Sequence, residues 1–318
     1  TSAVPPVLLA CCTSSPPSNM PPSDASSHIG EQATVWSFGF GSNMDVEALR
    51  AKKGLRVLDH VAAIVQGWRM SFSIRGPPLV EPAFAVATPG GADDEIHGVA
   101  FCMPESDVPL LDNVERGYAK ADVSFEAYDG RTLLGYLYTT KPGQAVQEEG
   151  RPSKRYLGVL IKGGRQAGLE EAYLERLAKT PTYSPSDHVF EARRSLPDPA
   201  ALPGITVDEL QAVGHEGGFA YVAILGYVLR LPRSKVFFGS HKGRDITARQ
   251  LRQARGLPLD ADDDMGRPPF PKIADMTPDE EEFVRMWLDH YFVSAGGSDL
   301  ACIVGFLTEF RLQLEAEG

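Results

Sequence analysis

Strand-like apolar runs crowd residues 34–139, and apolar positions at helical spacing take over afterwards. Thr34-Val35-Trp36-Ser37-Phe38 is β-branched and aromatic and predicts a strand. It runs into Gly39-Phe40-Gly41-Ser42-Asn43, after which Met44 to Arg50 shows helical spacing and an acidic first turn, with Asn43 or Ser42 expected to cap the helix. Further strands are expected at 57–65, 68–74, 84–87, 96–102 and 123–128, and Asp129-Gly130 predicts a tight turn into a strand over 133–139. A short helix is expected over 105–115, and helices over 156–163 and 170–179. The strands follow one another without alternating helices, so a doubly wound sheet is not expected.

This pattern divides the chain into four expected parts. Residues 1–33 are rich in Pro and Ser, lack Lys and Arg, and read as a disordered or residual targeting segment. Residues 34–183 read as an α+β domain. Residues 184–218, rich in Pro, Asp and Gly, read as a connector. Residues 219–318 read as a mainly helical C-terminal extension. Within it, 219–231 is strand or helix, and helices are expected at 247–255, 277–292 and 300–314; Thr277-Pro278-Asp279-Glu280 is a helix-opening pattern.

Composition adds mostly exclusions. The 318 residues carry a net charge of −11 with no basic patch, so nucleic acid is not an expected partner, and a carboxylate ligand must be held by local donors. No apolar run is long enough to span a bilayer. The cysteines Cys11, Cys12, Cys102 and Cys302 fit neither a zinc site nor a disulfide framework and suggest a reducing compartment: the cytoplasm, or an organelle if residues 1–33 are a presequence remnant. Asp260 to Gly266 departs from a calcium loop, with Met265 at the glycine position and Pro271 in place of the final Glu. His241, in a polar glycine-flanked segment, reads as a surface loop, with anion binding or lining an active-site mouth as the functional reading.

Three segments carry candidate chemistry. In Phe38 to Met44, glycines at a strand-to-helix turn suit backbone N–H groups to a carboxylate or a developing oxyanion. In Leu111-Asp112-Asn113-Val114-Glu115, an apolar flank and Tyr118 would partly desolvate Glu115, a setting that favours proton transfer. The third is Pro152-Ser153-Lys154-Arg155-Tyr156, followed by Gly168 to Tyr173. In this order, together with Trp68-Arg69-Met70-Ser71-Phe72 and Tyr136-Leu137-Tyr138-Thr139, the chain resembles the γ-glutamylcyclotransferase family over about residues 34–183. The resemblance implies a mixed β-barrel or sheet with flanking helices, Glu115 as catalytic acid/base, and substrate contacts from Phe40, Gly41, Ser42, Asn43, Met44, Tyr118 and Tyr156. There are two departures: Phe40 stands where many members carry Tyr, which concerns the substrate more than the reaction, and Tyr118 follows Glu115 by three residues as in only some branches. Gly41-Ser42-Asn43 points away from the glutathione-specific relatives.

The implied reaction turns a γ-glutamyl compound into 5-oxoproline and a free amino acid or amine, with no cofactor and no metal. The expected partner is that small-molecule substrate, with a homodimer possible and no membrane or nucleic acid. A catalytically idle scaffold or complex subunit is the alternative, and release of a γ-glutamyl group from an amine or natural product is a further enzymatic one.

Overall fold

The computed structural model describes residues 33–141, 148–213, 217–236, 239–257 and 266–317. The N-terminal segment with Cys11 and Cys12, and most of the acidic stretch 260–266, lie outside the described residues.

The first region runs in the order β1 (Thr34–Gly39), α1 (Val46–Lys53), β2 (Asp59–Gln66), β3 (Trp68–Arg75), β4 (Ala83–Pro89), β5 (Glu95–Pro104), α2 (Val108–Val114), β6 (Ala119–Ala127), β7 (Thr132–Thr139), α3 (Lys154–Gln166) and α4 (Glu171–Ala178). Strand β1 lies between β5, antiparallel, and β7, parallel. Antiparallel pairing of β5 with β2, β2 with β6 and β6 with β7 then closes a five-stranded barrel. Strands β4 and β3 extend the sheet outward from β7. Alternation along the strands buries Phe38, Phe101, Phe125 and Leu137 inside, and Phe38 stacks on Phe125 with ring centroids 5.4 Å apart. Closure leaves no open edge between β1 and β7.

Local chemistry explains the helix ends around the barrel mouth. Asp45, rather than Ser42 or Asn43, caps α1 by accepting from the Ala48 N–H at 2.9 Å; residues 42–44 form a separate single turn. Gly54 ends α1 in the left-handed conformation, φ 66°. Ser153 caps α3 by accepting from the Tyr156 N–H at 2.9 Å.

The second region comprises α5 (Asp187–Arg194), β8 (Gly204–Ile205), α6 (Val207–Val213), β9 (Phe219–Ile224), β10 (Tyr227–Pro232), α7 (Thr247–Ala254), α8 (Pro278–Asp289), β11 (Ile303–Leu307) and α9 (Thr308–Glu317). Besides its helices it holds a four-stranded sheet, ordered β8-β11-β10-β9. The run 219–231 is two strands turning at Leu225-Gly226, both with positive φ. The stretch 300–314 divides into β11 and part of α9. The expected connector carries α5, β8 and α6, whose Ala192, Val207 and Leu210 are buried. A complete capping box at Thr277 and Glu280, with Pro278 in the first turn, opens α8.

Loop 76–82, between β3 and β4, joins the two regions. Val80 is fully buried in the second core, while the neighbouring Glu81 accepts from the Ser153 hydroxyl at 2.5 Å and from the Arg155 guanidinium at 2.7 Å. Arg155 in turn lies 4.9 Å over the Phe283 ring of α8. His241 is buried in the second region, its Nδ1 2.6 Å from the Tyr291 hydroxyl, so it neither forms a surface loop nor lines the cleft described below. No helix among the described residues is long and apolar enough to cross a membrane. Cys102 is buried and Cys302 half-buried, both with free thiols.

Candidate active site

A cleft opens where β1 leaves the barrel. Phe38, Gly39, Phe40, Gly41, Ser42 and Asn43 line one side; Glu115, Tyr118, Tyr138, Ala85 and Tyr156 complete it. The turn is tight for a steric reason: a Cβ on Gly39 would sit 2.6 Å from the Asn43 carbonyl oxygen. The Met44 N–H donates to the Gly41 carbonyl at 3.2 Å and closes the turn. Gly41 leaves room opposite the Tyr156 hydroxyl, which an added Cβ would approach to 3.5 Å.

Helix α2 delivers Glu115 as its C-terminal cap. Nδ2 of Asn43 donates to Glu115 Oε1 at 3.1 Å, and Nζ of Lys53 donates to the same oxygen at 3.2 Å. Lys53 also donates to Asn43 Oδ1 at 2.5 Å. The Tyr118 N–H returns to the Glu115 carbonyl at 2.9 Å, holding that ring beside the carboxylate. Burial, then the nearby Glu115 charge, pushes the Tyr118 phenol up to about 12, so it stays protonated at neutral pH.

Tyr156 is buried against Phe72 and Phe84, which meet its ring edge-on, and its oxygen accepts from the Ala85 N–H at 3.3 Å. Burial raises it strongly. Its hydroxyl proton is thus retained for donation, while the Ala85 contact fixes the oxygen. Tyr138, on β7, donates to Asp112 Oδ1 at 2.5 Å, and Lys120 donates to Oδ2 at 2.9 Å. Burial opposes ionisation of Asp112, but the bonds from Lys120 and Tyr138 outweigh it and hold the carboxyl below its usual range.

Of the residues singled out from sequence, Glu115, Phe40, Gly41, Ser42, Asn43, Tyr118 and Tyr156 line this cleft. Met44 does not: it is buried in the barrel core, where α3 passes close at Gly163. Sequence reasoning missed Lys53 and Tyr138. Tyr138 belongs to the Tyr136-Leu137-Tyr138-Thr139 strand motif, whose polar members are a signal for it. Lys53 is one of several basic residues on α1, and no local signal sets it apart.

A second cavity lies between α3 and α8, lined in part by Ser153, Arg155, Gly158, Tyr183, Phe283 and Met286. Much of the charge around it is engaged in ion pairs: Arg155 with Glu81, Glu280 with Arg255, Glu282 with Arg193. Among the described residues no cluster of three His, Cys, Asp or Glu is placed to hold a metal ion.

Residues 95–177 match the model of the AIG2-like family. A γ-glutamyl cyclotransferase of Aspergillus fumigatus, gliK, is 28% identical over 175 residues, covering 48% of this chain. The chain spans 64% of that relative's own length. The γ-glutamylcyclotransferase of Mus musculus is 28% identical over 170 residues, covering 50% of this chain and 85% of the mouse protein. A solved structure titled γ-glutamyl cyclotransferase superposes with a TM-score of 0.42 at 21% identity, covering 48% of this chain and 92% of its own. The matched stretch runs from β5 into α4, Glu115 and Tyr156 included, and over it the chain is similar to the AIG2-like family and to proteins named γ-glutamyl cyclotransferase.

Proposed function

We propose that this chain is a γ-glutamylcyclotransferase acting on a γ-glutamyl amino acid or related γ-glutamyl compound, with Glu115 as its proton carrier. The observation that carries this reading is the convergence of one carboxylate, one glycine-containing turn and the tyrosines Tyr118 and Tyr156 on a single cleft.

The substrate holds its own nucleophile. Its α-ammonium loses a proton to Glu115, and the freed amine attacks the γ-carbonyl carbon of the same molecule. A C–N bond forms and closes a five-membered ring, so much of the barrier is met by holding the substrate folded. The carbonyl oxygen becomes an oxyanion, and backbone N–H groups of the 41–43 turn are its donors, each worth roughly 2.7–4 kcal/mol in comparable sites. The oxyanion then reforms the carbonyl, the original amide C–N bond breaks, and the departing nitrogen takes the proton back from Glu115. The ring nitrogen gives up its second proton through the freed carboxylate to the amine, which leaves as an ammonium. Atoms balance as one substrate giving 5-oxoproline and one amine, without water. Tyr156 and Tyr118 position the glutamyl group with protonated hydroxyls, as donors to its α-carboxylate.

The test is 5-oxoproline release from γ-glutamyl amino acids, γ-glutamyl amines and glutathione by the wild type and by Glu115→Gln. Turnover by the wild type with a loss of ~10² or more in the variant supports the reading. A wild type silent on the whole panel, or a variant of equal activity, overturns it and favours a scaffold built on this fold.

A further inference from the structure

We infer that Lys53 is a positioning residue for the reaction: it sets which way the Asn43 side-chain amide faces, and through that amide it aims the Glu115 carboxylate into the cleft. The inference rests on the proposed function, because it assigns Glu115 its proton-transfer role.

Asn43 sits between Lys53 and Glu115, and its amide has two ends of opposite character. An ammonium has donors only, so the end that meets Lys53 must be the oxygen. Oδ1 of Asn43 does accept from Lys53 Nζ, at 2.5 Å. The amide nitrogen is thereby turned toward Glu115, where it donates to Oε1 at 3.1 Å. The opposite orientation would set an amide oxygen against a carboxylate oxygen. Lys53 reinforces the choice with its own contact to Oε1 at 3.2 Å. Among the described residues, the side-chain donors to Glu115 are these two, and both take Oε1. That arrangement leaves Oε2 to receive the substrate's proton.

Three features support a role for Lys53 through its neighbours. It is not among the described residues lining the cleft, so the assignment gives it no substrate contact. Its side chain and that of Glu115 are only 17% and 15% exposed, so the pair is screened far less than a surface ion pair. Its backbone is also held: Lys53 is the last residue of α1, followed by the left-handed cap at Gly54, and a cation there is favoured by the carbonyl end of the helix.

The experiment compares 5-oxoproline release by wild type, Lys53→Met and Lys53→Arg on the wild type's best substrate, with melting temperatures recorded for all three. Methionine keeps the length of the side chain but supplies no donor. Arginine, like lysine, has donors and no acceptor. The expected result is a kcat for Lys53→Met lowered about tenfold or more, with KM within about threefold, and a kcat for Lys53→Arg recovered to within about threefold of wild type. A change confined to KM would make Lys53 a substrate contact and overturn the inference. An unchanged kcat in Lys53→Met, or equal losses in both variants at native melting temperature, would overturn it as well. In each of those cases an active wild type leaves the cyclotransferase reading standing, whereas a wild type silent on the full panel removes both.

Discussion

The two regions of this molecule treat their polar side chains in opposite ways. Around the cleft, Glu115, Asn43 and Lys53 are half-buried and bonded to one another, and Asp112 holds Lys120 and Tyr138. In the second region, His241, His290, Asp245 and Gln250 are packed out of solvent, with His241 against Trp287 and His290 against Tyr291. Burial, then the charge of Arg249, lowers His241 to about 3, and burial lowers His290 to about 4. Burial likewise raises Asp245. Strong titration shifts therefore occur both in a packed core with no part in the cleft and, at the phenols of Tyr118 and Tyr156, in the cleft itself. The candidate active site is marked instead by geometry: a carboxylate, a glycine turn and oriented hydroxyls on one opening. A shifted pKa alone would not have told the two halves of the chain apart.

The sharpest way to break this comparison is Glu115→Gln. Its 5-oxoproline release should fall by ~10² or more, with a smaller loss of melting temperature than a core substitution causes, because the residue lines a cleft and its amide still accepts from Asn43 and Lys53. A large drop in melting temperature would mean that Glu115 also supports the fold. The converse change is Trp287→Ala. Trp287 is 1% exposed, and its loss should cost about 3 kcal/mol in urea unfolding. A cost under ~1 kcal/mol would show that the second core is loosely packed.

Acid should separate the regions by a smaller margin. The folded values of His241 and His290 lie below the ordinary histidine value of 6.5, so the unfolded chain binds more protons between those limits. Their contribution to stability is present above about pH 6.5 and is lost as pH falls toward about 4. The slope is at most ~1.4 kcal/mol per pH unit for each histidine. Asp245, raised by burial, works in the opposite direction and offsets part of the loss. Urea midpoints at pH 7, 6 and 5 should fall for the wild type and flatten in His290→Leu; parallel curves would sink this account. The smallest effect is expected for Ser153→Ala. It removes the cap of α3 and a donor to Glu81, at a cost of roughly 1–2 kcal/mol, and a neutral result would mean that another donor replaces it.

Much of the cleft was readable from the chain because its parts are local. A strand, two glycines and a helix follow one another within a dozen residues, and a Ser-x-x-Tyr start writes its own helix cap. Lys53 was not readable, since its significance is a contact with a residue 62 positions away. Nor was the burial of His241, which sits among glycines and charges and looks exposed. The four-stranded sheet was obscured for a related reason. Strand β8 has two residues and β11 five, and both owe their conformation to their partners, β11 to β10 and β8 to β11.

By itself, the sequence determined the local elements, the turn that suits an anion, the carboxylate beside it and the likeness to one enzyme family. These follow from side-chain periodicity, capping and glycine's freedom, all of which act over a few residues. Tertiary structure alone decided that Met44 belongs to the core, that Lys53 faces Glu115 through Asn43, and that loop 76–82 ties the second region to the start of α3. Each depends on the order in which distant strands close the barrel, and that order is set by packing and hydrogen bonding summed over the whole chain.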